Sequence, residues 1–395
     1  MGVIRRKLMA LAQKIENEVS DIKGKRLQHV LLCLQFYEGG HIHSAYPDDA
    51  ITRNLIRHMA AEKGVPLGIG KAKEEQPKHR KIILRQGQAP GDILTMTCGL
   101  GDLKRTYPEW EIDVRTTCPE LFENSPHLTP LKEDDPDVEI FTITYDEIHQ
   151  SGWRGHHFTD AFRHDIEQKI GSPITKTGIR PELFLSDQEK AWFNQVHCDF
   201  LWDGPFWLLN AGRKQDNELK QYHRWQEVVD LLNEFFDGKI KVIQIGHKTH
   251  VHPELNGVLS LVGKTDTRQL IRLAYWSEGT IGPLSFQFVL AGAFQKPHVV
   301  LAAGKEGVRW HLYPQGRYIY TNGAMECCAW DGCWLGGEQG KCKQLEDNVP
   351  KCFRLIKPHM ISDAVKMYYE GGFLKMPTEE KWVNKTKPVE LKVVG

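Results

Sequence analysis

Three groups of residues in this sequence have types and spacings that could do chemistry. The first is Pro90-Gly91-Asp92, a turn after the apolar run KIILR at residues 81–85. Gly91 lets the chain bend tightly, and Asp92 stands at the start of the helix that follows. Its carboxyl has two uses there: capping the helix, worth about 1 kcal/mol, or acting as general base toward a hydroxyl. The second group is Asn210-Ala211-Gly212-Arg213-Lys214, again a glycine turn after an apolar run, with Lys220 downstream. Flexible cations above a crevice suit a diphosphate, which an ammonium binds as a point charge; a solvated lysine face is the alternative. The third is a run of cysteines. From Cys328 through Cys333 and Cys342 to Cys352 the spacing is C-x4-C-x8-C-x9-C, with Cys327 adjoining, in a glycine-rich segment. Four thiolates in a loop can close around a tetrahedral metal, zinc or iron alike, while disulfides and free thiols are the alternatives.

These groups need elements to hold them. Residues 278–306, EGTIGPLSFQFVLAGAFQKPHVVLAAGKE, read as turn, helix, turn, strand and loop. Ser285 is placed to cap the helix, Phe288, Val289, Ala291 and Ala293 form its inward face, and Lys296-Pro297 ends it. The N-terminus of such a helix, at Leu284, Ser285 and Phe286, is a place for a phosphate, and an α/β unit without ligand is the plain alternative. Upstream, strands at 81–85, 111–116 and 138–145 alternate with helices, and from residue 205 the alternation resumes as PFWLLNAG, LKQYHRWQEVVDLLNEFF, KIKVIQIG and TDTRQLIRLAYWSEG. Strands alternating with helices mean a mostly parallel sheet. The segment 152–195 between them is helical and polar, and His156, His157, His164 and His197 there lack the carboxylate partners of a metal site. His41 and His43 read as loop surface.

The organisation expected is therefore an N-terminal helical extension over 1–75, an α/β domain over 76–200, a second over 201–360 with a cysteine-rich insert at 326–353, and a helix with a tail over 361–395. Lys and Arg total 51 against 51 Asp and Glu, so no global field draws the protein to nucleic acid or anionic membrane. The start lacks a signal-peptide core, and no apolar run approaches the roughly 18 residues that span a bilayer. A cytoplasmic protein is expected, with Cys33, Cys98, Cys118 and Cys198 as buried free thiols.

The order of these segments resembles that of the ADP-heptose:lipopolysaccharide heptosyltransferase-like glycosyltransferases. The residues that carry the likeness are 89–116 with 121–131, 208–232, 252–283 and 296–314, which together cover most of 80–370. The resemblance implies a GT-B type fold, two Rossmann-like domains facing across a cleft. It implies an inverting enzyme that moves a sugar, heptose-like or other, from a nucleotide diphosphate donor to a hydroxyl acceptor such as a glycan. Asp92 would be the general base, Lys220 a diphosphate ligand and Glu306 a nucleotide or sugar contact, with Gly91, Asn210, Gly212, Lys214, Leu284, Ser285 and Phe286 completing the donor site.

No catalytic metal is needed on this reading, since cations and helix N-termini neutralise the leaving diphosphate. Where the family shows a polar motif and a histidine, this chain has Pro283-Leu284-Ser285-Phe286-Gln287-Phe288, so backbone N–H groups around 284–286 would hold the donor. Two further readings stand beside this one. In one the same fold acts on a DNA base or a protein side chain, with the basic run KAKEEQPKHRK (71–81) along a phosphate backbone. In the other the chain is a catalytically silent nucleotide-binding or assembly protein, an oligomer included.

Overall fold

The computed structural model describes residues 79–144, 156–215, 218–307, 309–328, 332–333 and 341–378. The extension 1–75, with Cys33 and the His41–His43 pair, most of the basic run and the tail after 378 lie outside the described residues. All described residues belong to the compact unit Pro77–Gly395.

The first half begins with β1 (Lys81–Gln86), α1 (Pro90–Thr106), β2 (Glu111–Thr116) and β3 (Val138–Thr142). The three strands form a parallel sheet in the order β2-β1-β3. Ile82, Ile83 and Leu84 are fully buried, as expected of a central parallel strand covered on both faces. Proline at the first position, Asp92 in the first turn and Lys104 and Arg105 in the last suit the helix dipole of α1. After it come α2 (Phe158–Ile170), α3 (Asp187–Ala191) and α4 (Gln195–Phe200). A Cβ on Gly99 would lie 3.3 Å from Ile166 and 3.4 Å from the Arg163 backbone, so this glycine lets α2 close on α1.

The second half contains β4 (Phe206–Leu209), α5 (Trp225–Phe236), β5 (Lys241–Gln244), β6 (Leu259–Ser260), α6 (Thr267–Trp276), β7 (Gly279–Pro283), α7 (Phe286–Ala293), β8 (His298–Ala303) and β9 (Gly316–Tyr320). Its six parallel strands run in the order β6-β5-β4-β7-β8-β9. The chain starts in the middle at β4, builds outward to β6, then returns to β7 and builds the other way. The loops after β4 and β7 therefore flank a topological switch point, where ligands of open α/β sheets bind. A small hairpin, β10 (Leu345–Glu346) with β11 (Val349–Pro350), precedes α8 (Lys351–Arg354) and α9 (Pro358–Glu370).

Several expectations need correction. Residues 279–283 are a central strand, not a turn, and all five are buried. The helix expected over 219–236 begins only at Trp225; Glu218–Lys220 form a separate 3-10 turn. Cys98 and Cys118 are buried as expected, whereas Cys198 is exposed.

The two halves share one core. Leu84, Ile93 and Phe162 of the first half and Phe288, Val300 and Trp310 of the second fall in the same buried cluster, while a separate cluster covers the other face of the larger sheet beneath α5 and α9. α7 is the joint: residues 287–293 are all buried, as a helix apolar on every side must be. The expected GT-B type architecture is what the chain has.

Candidate active site

The first turns of α1 and α7 meet at the switch point. A Cβ on Gly91 would sit 3.7 Å from the Cα of Phe286 and 3.9 Å from its nitrogen, ordinary contact distances, so the two helix starts lie side by side. Asp92 is the third residue of α1, not its cap: Ala89 takes that place, and its carbonyl accepts the Asp92 N–H at 2.9 Å. The Asp92 carboxyl instead reaches back to the Ala89 backbone N–H, which works to lower its pKa. It faces Lys220, His311 and Glu306 of the other half, and burial raises it above the usual carboxylate range while the Lys220 charge works to lower it.

Lys220 reaches this place because its backbone is not part of α5. The 3-10 turn directs the side chain inward, where Nζ donates to the Leu284 carbonyl. Burial, and then the ammonium of Lys305, depress Lys220 from 10.5 to about 7. Lys305, at the end of β8, is itself buried and lowered by that burial. Glu306 lies 3.7 Å from Lys305 and pairs with His311 Nε2. Burial acts to raise it, yet His311, Lys305 and Lys220 together hold it at about 2, so it is ionised throughout the working range. Asn322 donates to its backbone carbonyl at 3.0 Å.

On the neighbouring side Asn210 Nδ2 donates to Ser285 Oγ at 2.9 Å and to Gln287 Oε1 at 3.2 Å, and Asn210 Oδ1 accepts the Gly212 N–H at 3.1 Å. Ser285 occupies the cap position of α7, but its hydroxyl donates to Gln287 and makes no capping bond. The first-turn N–H groups of α7 therefore have no side-chain cap, a ready anion site.

Of the residues singled out in the sequence, Asp92, Lys220 and Glu306 converge, with Gly91, Asn210, Leu284, Ser285 and Phe286 around them. Lys214 is exposed on the rim, close enough for its charge to reach Lys220. Gly212 has a packing role: the His252 ring fills the space where its Cβ would stand. Pro283 and Phe288 are part of the interior, with Phe288 set edge-on to His311 at 5.5 Å. That imidazole comes from beyond β8. Sequence reasoning missed Lys305 and His311. The one available signal was a Lys-Glu pair at the carboxyl end of a parallel strand, where ligands bind.

Behind β8 the cysteines gather. Cys327, Cys328, Cys333, Cys342 and Cys352 line one small pocket together with Gly304 and Lys305. None of the eight described cysteines is in a disulfide. As the side chains stand, no group of three or more His, Cys, Asp or Glu among the described residues is arranged to hold a metal ion. The Cys328 thiol points at the carbonyls of Met325 and Thr321, at 3.5 and 3.7 Å. Five thiols on one pocket wall are the donor type that thiophilic metals take.

Among the described residues no helix is long and apolar enough to cross a membrane. No protein-family model matches the chain, and no curated protein matches it. Solved structures match it by fold. The glycosyl transferase family 9 protein from Veillonella parvula DSM 2008 superposes with a TM-score of 0.55 at 11% identity, covering 74% of this chain and 97% of that one. ADP-heptose lps heptosyltransferase II from E. coli gives 0.52 at 12% identity, covering 74% and 100%. The iron-containing dodecameric glycosyltransferase TibC from enterotoxigenic E. coli H10407 gives 0.53 at 14% identity, covering 74% and 76%. At these identities the likeness is one of fold.

Proposed function

We propose that this chain is an inverting glycosyltransferase acting on a nucleotide diphosphate sugar, heptose-like or other, and a hydroxyl acceptor of a glycan. The observation that carries the reading is the pairing, across the switch point, of a partly buried carboxylate, Asp92, with the two ammonium groups of Lys220 and Lys305. In-line displacement at an anomeric carbon needs these parts on opposite faces. The donor diphosphate lies against Lys220, Lys305 and the first-turn N–H groups of α7. Asp92 accepts the acceptor's hydroxyl proton as the oxygen attacks the anomeric carbon; the bond from that carbon to the phosphate oxygen breaks, and the diphosphate leaves with its electron pair. Attack from the face opposite the leaving group inverts the configuration. Glu306, fixed by His311, holds Lys305 and contacts sugar or ribose.

Cys328, Cys333, Cys342 and Cys352 would hold zinc or iron in a structural role, with Cys327 as a fifth thiol in reach. A bound metal would cross-link the loops after β9 to α8, against the backbone that follows β8. The fold likeness to TibC, whose name records iron, supports this metal reading and leaves room for oligomers. Neutral charge supports a glycan over a nucleic acid acceptor, and the absence of any apolar span in sequence and described helices fits a cytoplasmic place of action.

The test is incubation with a panel of nucleotide sugars, following donor hydrolysis and transfer to glycan acceptors. Turnover with at least one donor is expected. Asp92→Asn should lose roughly 100- to 10,000-fold in transfer while keeping donor affinity within a few-fold. Near-normal transfer by this variant would remove Asp92 from the mechanism. No binding and no hydrolysis with any donor would leave the silent, assembly reading in its place.

A further inference from the structure

We propose that a groove on the flank of α1, away from Asp92, is a second ligand site that takes a phosphorylated sugar. The groove encloses about 480 Å³ and is walled by Arg105, Thr177, Arg180, Glu182, Leu183 and Phe184. That volume is far more than a phosphate needs and falls in the usual range for small-molecule sites. The α1 residues that line it, Cys98 and Arg105, are 6 and 13 residues beyond Asp92, about 9 and 20 Å along the axis, and no residue of the Asp92, Lys220 and Glu306 cluster is among its walls.

The far wall, residues 177–184, has no regular secondary structure, yet it is fastened to α1 by buried polar bonds. Asp102 is fully buried, and its carboxylate accepts from Arg163, Arg105, the Thr177 hydroxyl at 2.5 Å and the Thr177 N–H at 3.2 Å. Arg163, 3% exposed, also donates to the Gly178 carbonyl at 3.0 Å. Thr97 accepts the Glu182 N–H at 2.8 Å, and the missing Cβ of Gly101 makes room for the Glu182 carboxylate. A loop held by a buried ion pair and four further bonds is a rigid wall, which a binding site needs and a plain surface loop does not.

The charge left in the groove is positive. Glu182 is taken up by Arg105 at 2.7 Å and His127 at 2.6 Å. Arg180 has no carboxylate partner among the described residues; its Nε donates to the Ala293 carbonyl at 2.8 Å, which orients the guanidinium and leaves both terminal nitrogens without a partner among those residues. Arg105 bonds through one terminal nitrogen only, so Nε and the other terminal nitrogen are likewise open. A guanidinium fixed at Nε presents the two-pronged edge that matches phosphate oxygens. Phe184 and Leu183 beside it provide an apolar ledge for the C–H face of a sugar ring, and the remaining volume suits one monosaccharide.

The experiment uses the full chain and isothermal titration with glucose 6-phosphate, mannose 6-phosphate and sedoheptulose 7-phosphate, with glucose and inorganic phosphate as controls. Saturable binding of at least one sugar phosphate is expected, tighter than inorganic phosphate, with no binding of glucose. Arg180→Gln should weaken it by roughly 10- to 100-fold, the worth of a charge-assisted bond. Phe184→Ala, which leaves the Ala293 contact in place, should weaken the sugar phosphate while leaving inorganic phosphate unchanged. Lys220→Met should retain full sugar phosphate binding, which separates this site from the donor site. Three results would overturn the proposal: no saturable binding of any sugar phosphate, binding no tighter than inorganic phosphate, or binding lost with Lys220→Met and kept with Arg180→Gln.

Discussion

Lys220 makes donor affinity a function of pH with a definite sign. In the free protein, burial and the neighbouring Lys305 bring its ammonium from 10.5 to about 7. A bound diphosphate supplies the missing negative charge and returns it to at least the ordinary lysine value. Below pH 7 Lys220 is charged in both states, and affinity does not depend on it. Between pH 7 and 10.5 the free protein has lost a proton that the complex retains, so binding takes up a proton and affinity falls up to tenfold per pH unit. From pH 7.5 to 9.5 the loss works out to roughly 70-fold, about 2.5 kcal/mol. Lys305, lowered by its own burial, adds to the slope in the same direction. Titrating ADP and UDP calorimetrically at half-unit steps is suitable, since their phosphates are fully ionised above this pH. Buffers of different ionisation enthalpy count the protons directly. Lys220→Met should bind more weakly at pH 7.5 and show a slope about one unit shallower. Wild-type affinity constant within about twofold over the range, or an unchanged slope in Lys220→Met, would refute the assignment of Lys220 to the diphosphate.

Metal analysis of protein purified without chelator should find about one zinc or iron per chain, and Cys333→Ser should reduce it; a stoichiometry far below one would remove the metal from the thiol pocket. Gly279→Ala would press a methyl group to 2.5 Å from the Pro297 carbonyl and 2.6 Å from the Trp207 ring. It should cost about 1–3 kcal/mol and lower Tm by several degrees, whereas Gly87→Ala, which meets nothing within 4 Å, should leave Tm unchanged. Equal Tm values for the two variants would contradict the packing assigned to β7.

The alternation of apolar runs and helices made the α/β class and most strands legible, because a parallel strand covered on both faces announces itself by its own composition. β7 did not. Gly279 is small because Trp207 and the backbone of Pro297 lie against it, and Gly282 because Asn210 and Gln287 do. A demand set by neighbours far along the chain reads locally as a turn. The same holds for Lys220, which continues a helical pattern in sequence but is diverted into a 3-10 turn that places its ammonium on the Leu284 carbonyl. Asp92 was legible as a residue of interest, but its place in the first turn, with Ala89 at the cap position and Lys220 and Glu306 facing its carboxyl, was not. Glu306 came into view only through a resemblance, and His311 and Lys305 not at all, since their importance lies in facing Glu306 and Asp92.

The backbone from Gly304 to Glu306 belongs to two sites at once. Gly304 and Lys305 form part of the thiol pocket wall, the Cys333 N–H donates to the Gly304 carbonyl at 2.9 Å, and Lys305 and Glu306 are the charges that act on Lys220. A group bound among the thiols and a diphosphate bound above Lys220 would each prefer a particular placement of the same peptide units. Their affinities would then be reciprocally coupled: whatever factor the first imposed on the second, the second would return to the first. The segment acts as a shared ledge, and the thiol cluster is in mechanical contact with the candidate chemistry through a single stretch of main chain.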